Sequence, residues 1–320
     1  EQCGSEVLTI AGANGSTPAD AAAADGHVDA FRYLAEQCGP EVLSAANADG
    51  NKLANVAALA GHVGVLRFLS EQCGPEVLAA ANANGFRPAH DAAQEGHVDA
   101  LRFIVEQCGS EALTAAAADG YTPAHYAAGS GHVDVLRLLA EQCGREALTA
   151  AAANGLTPAR FAALNGQVDV LRFLAEQCGR EALMATDAYG RTPAHLAADY
   201  GHVDVLCFLV EKCGSEALMT AADADGRTPA HLAAYKGHVD VLRLLAEKCG
   251  SGALTVADAN GVTPAHGAAA YGHVVVLRFL AEQCGREALM ATDAYGRTPA
   301  HLAADYGHVD VLCFLAEQCG

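Results

Sequence analysis

REALMATDAYGRTPAHLAADYGHVDVLCFL, residues 180–209, returns letter for letter at residues 286–315. The same segment recurs in altered form along the rest of the chain. Its period is marked by turn glycines at Gly15, Gly50, Gly85, Gly120, Gly155, Gly190, Gly226, Gly261 and Gly296, a step of 35 residues except for one of 36 between Gly190 and Gly226. Self-similarity at this period is the signature of a solenoid, in which each unit buries its apolar face against its neighbours.

Within the quoted copy, Asp187-Ala-Tyr-Gly190 is a turn signal, with glycine free to take positive φ. Thr192 is placed to cap a helix whose first position is Pro193, where a missing N–H costs nothing. That helix is predicted to run to about Tyr200 and to break at Gly201. Val203, Val205, Leu206, Phe208 and Leu209 then give a second helix its apolar face, ending at Cys213 with Gly214 as the C′ residue. Residues 215–219 lead back to the next turn. Nine such units fit between Ser5 and Gly320, with residues 1–4 as the tail of a tenth. Of 33 glycines, 28 fall in the turn, inter-helix and C′ phases, which leaves few for other tasks. The expected domain organisation is a single array over residues 1–320 with no separate domain.

The motif T-P-x-H, followed by A-A and G-H, is similar to the ankyrin repeat. Thr122-Pro-Ala-His125, Thr192-Pro-Ala-His195, Thr228-Pro-Ala-His231, Thr263-Pro-Ala-His266 and Thr298-Pro-Ala-His301 carry it in full. The resemblance covers essentially the whole chain and implies an all-α, ankyrin-type solenoid of stacked helix-turn-helix repeats with turn fingers. Three departures stand out. Alanine replaces the family's usual leucine after proline, which should thin the core there; the repeat is two residues longer than the common 33; and the extra length falls after the second helix, as a longer surface connection. The second repeat is the most degraded, with Lys52-Leu-Ala-Asn55 in place of the motif.

The apolar positions, 52% of the chain, recur at helical spacing and nowhere form the run of about 18 residues that spans a membrane. A net charge of −19 argues against nucleic acid and anionic lipid as partners, because both are bound mainly by positive charge. Ten cysteines, Cys3 to Cys319, share one phase at the end of the second helix. Stacked helices sit roughly 8–10 Å apart, whereas a disulfide needs Cα atoms within about 7 Å, so packed, reduced thiols are expected ahead of reactive or cross-linked ones. Cys207 and Cys313 replace the arginine found at that phase in Arg172, Arg243 and Arg278, and are expected to be more exposed. Reduced thiols and the lack of a visible signal peptide point to an intracellular, cytoplasmic setting. The chain starts mid-repeat, so its native ends are expected to lie outside the sequence.

The histidines form ladders, eight in the G-H phase and six in the motif phase, and a ladder sets equivalent groups a repeat apart where a metal site needs convergence. No metal site or cofactor is expected. The family resemblance implies that the motif histidine hydrogen-bonds backbone between adjacent repeats. Paired carboxylates, a Ser-His-Asp set and a phosphate-cradling loop are missing, so no enzyme and no small-molecule substrate is expected. Glu36, Glu71, Glu106, Glu141 and Glu176 read as a solvated stripe, and Asp134 with Arg137 or Asp169 with Arg172 as i,i+3 pairs.

Positions that stacking does not dictate vary from repeat to repeat, after the turn glycine, after the motif histidine and at the end of the first helix. In ankyrins these phases line the fingers and concave groove, where partners bind. They select Phe86, Tyr121, Tyr126 and Phe161 as apolar anchors, and Arg191, Tyr200, Arg227, Tyr235, Lys236, Tyr271, Arg297 and Tyr306 as further contact residues; drift on an idle solvent face is the alternative. Two functions follow. One is a non-enzymatic scaffold that holds a protein partner on its concave face; the other is an architectural segment of a longer array, stacking end to end on further copies of itself. For the second, Val309, Val311, Leu312, Phe314 and Leu315 read as an open apolar face that charges at Val311, Leu312 and Leu315 would disrupt.

Overall fold

The structure, a computed structural model, describes residues 7–319 apart from 14, 45, 49, 216, 217, 219 and 220. Residues 1–6, with the expected tenth tail, Cys3 and Gly4, and the closing Gly320 lie outside the described residues, as does most of the connection 215–219. The fold is all-α, and its described residues form no strand beyond an isolated bridge between Ala46 and Lys52. Two compact units, Glu1–Pro158 and Ala159–Gly320, are each built from the same helix-turn-helix repeat.

The sixth repeat forms as its residues dictate. Its first helix is Pro193–Tyr200, closed by Gly201 in the left-handed region, and its second is Val203–Cys213. The first helix presents Ala194, Ala197 and Ala198 to its neighbours, and the small side chains let first helices pack closely; the second buries Val205, Leu206, Phe208 and Leu209. Burying each of these larger side chains is worth about 1.5–3 kcal/mol. The C′ residue differs from expectation: Gly214 has φ 86° and ψ 157°, an extended positive-φ conformation essentially reserved for glycine, in place of the αL cap. It turns the chain away from the helix axis at once.

The connection is also more than a longer surface loop. In the first five repeats and again in the seventh it is a single 3₁₀ turn, such as Arg180–Leu183 or Ser251–Leu254, and after the eighth it is the short helix Glu287–Met290. Each turn drives one leucine into the core, so Leu78, Leu113, Leu148, Leu183, Leu254 and Leu289 are all buried. The two residues beyond the common length therefore add core as well as chain.

The motif histidines lock neighbouring repeats together. His195 Nδ1 accepts from the backbone N–H and Oγ1 of Thr192 at 3.1 and 2.9 Å, and Nε2 meets the carbonyl of Arg227 in the next repeat at 3.0 Å. An accepting Nδ1 requires the proton on Nε2, so the ring is a neutral tautomer that donates across the repeat interface. His125 to Leu156, His231 to Val262 and His266 to Arg297 repeat the arrangement. Burial holds His90, His125, His195, His231 and His266 below the ordinary imidazole range.

Three repeats lack this histidine; in the first the replacement keeps the cap, and in the other two other groups bridge to the next repeat. Asp20 accepts from the Thr17 backbone and hydroxyl, Asn55 donates to Phe86 O and Asp91, and Arg160 forms a buried ion pair with Asp187.

The second histidine ladder closes helix ends. His62, His97, His202, His238, His273 and His308 each place Nε2 2.8–3.0 Å from a carbonyl at the C-terminus of the preceding repeat's first helix. A Cβ on Gly201 would lie 2.8 Å from Nδ1 of His238, so glycine is required there by its positive φ and again by the ring of the following repeat.

Outer helices are joined by arginines over aromatic rings. Arg32 lies over Phe68, Arg67 over Phe103, Arg172 over Phe208, Arg243 over Phe279 and Arg278 over Phe314, at 4.8–5.6 Å. The expected Asp169–Arg172 ion pair is not formed among the described residues, because the guanidinium is spread over the ring instead. Where Cys207 replaces arginine, the next repeat carries Leu244 instead of phenylalanine. Cys313 is exposed and Cys207 half-buried. In the main ladder the thiols of Cys108, Cys143, Cys249 and Cys284 donate to carbonyls of the preceding connection, and burial pushes all four up from the usual thiol range.

Candidate interaction surfaces

In the first unit three of the four predicted anchors come together. Phe86 follows the turn glycine of the third repeat, Tyr121 that of the fourth, and Tyr126 follows the motif histidine of the fourth repeat, His125. Tyr126 lies 5.0 Å from Phe86 and 6.1 Å from Tyr121, ring to ring, and edges onto His90 at 5.9 Å. Its hydroxyl donates to Asp119 at 2.8 Å, and Asn154 donates to the hydroxyl of Tyr121 at 2.9 Å. Burial and the Asp119 carboxylate push the Tyr126 phenol well above its ordinary range, so it stays protonated. Beside it, burial raises the Asp91 carboxyl to about 6, and the Asn55 hydrogen bond offsets this only in part. The result is a half-buried aromatic patch over a carboxyl that titrates near neutrality.

The fourth anchor, Phe161, is half-buried on Pro158–Leu164, and its carbonyl accepts from Asn165. The rest of the predicted set lies in the second unit. Arg191, Arg227 and Arg297 each turn Nε back onto the aspartate four residues earlier, at 3.0, 3.0 and 2.9 Å. Those aspartates also accept the backbone N–H groups of the finger, such as Tyr189 and Arg191 on Asp187. Burial pushes the Asp187 carboxyl up, but these N–H groups with Arg160 and Arg191 outweigh it and hold it below the usual carboxylate range. The arginines thus brace the fingers while showing part of each guanidinium to solvent.

Tyr235 packs against Gly267, where a Cβ would meet its ring, and lies near Tyr271, ring to ring 5.8 Å; burial pushes its phenol up to about 12. Tyr200 stacks on His202, and Tyr200, Lys236, Tyr271 and Tyr306 are exposed.

Two further tyrosines belong to this surface although sequence reasoning counted them only as turn punctuation. Tyr189 and Tyr295 sit at finger tips, 62% and 75% exposed, each under the guanidinium of Arg191 or Arg297 at 5.4 and 5.3 Å. The signal was available: at this position the other repeats carry Asn or Asp, the turn formers, and only these two carry an aromatic ring. Among the described residues no three metal-ligating side chains converge, and no helix is long and apolar enough to cross a membrane.

The pattern of ankyrin repeats (3 copies) matches residues 20–115, 76–147, 143–220, 184–255, 213–287 and 249–320. No curated relative matches the chain. The capped T-P-x-H helices, the histidine bridges between repeats and the finger turns are what this match requires in space, and from residue 20 onward the chain belongs to the ankyrin repeat family.

Proposed function

We propose that the chain is a non-enzymatic scaffold that holds a protein partner on the finger and first-helix side of its repeats. Ankyrin repeats are in general protein–protein interaction modules. The observation that carries the reading is the Phe86–Tyr121–Tyr126 patch: three aromatic rings meet at positions where other repeats tolerate serine, alanine or glycine, so stacking of the array does not call for them. Aromatic and arginine side chains dominate interface energetics. Alanine at Tyr121 and at Phe86 should each weaken a partner found by affinity capture by tenfold or more, with the helical circular dichroism unchanged. Equal affinity in both variants would move the site off this patch.

A second reading, stacking on further copies of the chain, has its own observation. The ninth repeat is a copy of the sixth, in which His195 and Leu206 are fully covered by the following repeat, so a further repeat stacked on the ninth would cover His301 and Leu312 in the same way. Of the residues expected on that face, Val311 and Leu315 are buried inside the repeat, because they pack against its own first helix and the preceding repeat. Charges there would unfold the repeat, so the informative variant is Leu312→Lys. Sedimentation should show association of the parent chain at high concentration and a monomer for Leu312→Lys; a parent monomeric throughout would remove this reading.

A further inference from the structure

We infer that the Phe86–Tyr121–Tyr126 patch takes a cationic side chain, the lysine or arginine of a basic segment of a protein partner, held on the rings beside the carboxylates of Asp91, Glu95 and Asp119. The inference rests on the patch being the partner's site and adds the chemistry of what sits there. Aromatic rings present a negative face that attracts ammonium and guanidinium groups. Tyr126 is tilted by 50° to Phe86 and lies at 77° to Tyr121, so the three rings are not stacked flat on one another, and each is only half-buried.

Three carboxylates border the rings. Asp119 accepts from the Tyr126 hydroxyl at 2.8 Å and from the Tyr121 backbone N–H at 2.9 Å, which fixes it beside both rings while it stays exposed. Asp91 follows His90, whose ring contacts those of Phe86 and Tyr126; Glu95 lies one helical turn on, exposed and close enough to help push the Asp91 carboxyl up. Among the described residues none of the three is in an ion pair. The second unit supplies a like-for-like contrast. Asp225 stands at the finger position of Asp119 and pairs with Arg227, two residues on, at 2.6 Å. In the fourth repeat that arginine is replaced by Tyr121, so the carboxylate stays and its cation is gone. Residues 1–158 hold 19 acidic against 7 basic side chains and residues 159–320 hold 19 against 12, so the field of the first unit draws a basic partner toward this face.

NMR of the full chain with labelled Phe and Tyr rings tests this, at pH 8 so that Asp91 is ionised. The probes are three blocked ten-residue peptides in which glycine alternates with lysine, arginine or glutamate. The lysine and arginine peptides should shift the rings of Phe86, Tyr121 and Tyr126 saturably, and the glutamate peptide should not. Glu95→Gln with Asp119→Asn should weaken the lysine peptide by tenfold or more; asparagine already stands at this finger position in Asn84, Asn154 and Asn260, so the fold accepts it. Glu106→Gln with Glu141→Gln, which removes as many charges from exposed positions of the second helices, should leave affinity within twofold. An equal loss in both double variants, or no saturable ring shift with either cationic peptide, would overturn the inference. If the cationic peptides fail while Tyr121→Ala still weakens a captured partner, the cation is wrong and the site stands; a partner indifferent to Tyr121→Ala would remove the site itself.

Discussion

The motif histidine shows how one residue type can set a chain's response to acid. At His125, His195, His231 and His266 Nδ1 accepts and Nε2 donates, so only the neutral ring satisfies both partners, and burial depresses the basicity of these four rings and of His90. With the folded value below the unfolded one of about 6.5, the unfolded chain binds more protons as pH falls through this range, and stability declines there. Each unit of depression is worth about 1.4 kcal/mol once both states are protonated. The melting temperature should therefore drop steeply between pH 7 and 5, and His231→Gln, which can still accept from Thr228 and donate to Val262 O, should reduce that slope; an equal slope in the variant would contradict the assignment. Asp91 acts in the opposite sense, since its raised carboxyl favours the folded state below pH 6. The caps were legible because they depend on a spacing of three residues, whereas the histidine bridges were reached only through the resemblance to the ankyrin repeat. The bracing role of the finger arginines went unread because their partner lies within the same turn, four residues back.

At the scale of the element, the 3₁₀ connection is the part that periodicity could not reveal. A single turn such as Arg180–Leu183 is too short to display a helical repeat, so Glu-Ala-Leu read as linker, and the burial of its leucine depends on the glycine before it taking an extended positive-φ conformation. That leucine should behave as core. Leu254→Ala should cost about 2–5 kcal/mol, against less than about 0.5 kcal/mol for the exposed neighbour Thr255→Ala, read from urea midpoints. The two helices of the sixth repeat, by contrast, were legible in the sequence, because proline and glycine bracket the first and an apolar face defines the second.

Within each unit, helices of a repeat pack on those of the repeats beside it, and most bonds between repeats run to main-chain carbonyls or to finger backbone. In the second unit Ala224 N donates to Tyr189 O, Ala259 N to Asp225 O and Ala294 N to Asn260 O. Partners of this kind are supplied by every repeat. Deleting residues 215–250, which joins Gly214 to Ser251, should accordingly leave a folded chain with unchanged helicity per residue and a single melting transition, whereas deleting 18 residues should not. These junctions also have a sense of direction. The earlier repeat offers a recess with no side chain, at Gly201 or Gly237, and the later one offers the imidazole that fills it. Recess and plug travel together in every copy but the fifth, where Gln167 stands in the histidine phase, and are used with different neighbours, so unequal crossing-over in frame with the period rejoins a recess to a plug wherever the later copy carries the histidine. Array length can then drift by whole repeats at little cost in stability, while a crossover out of frame sets a Cβ against a ring and is lost.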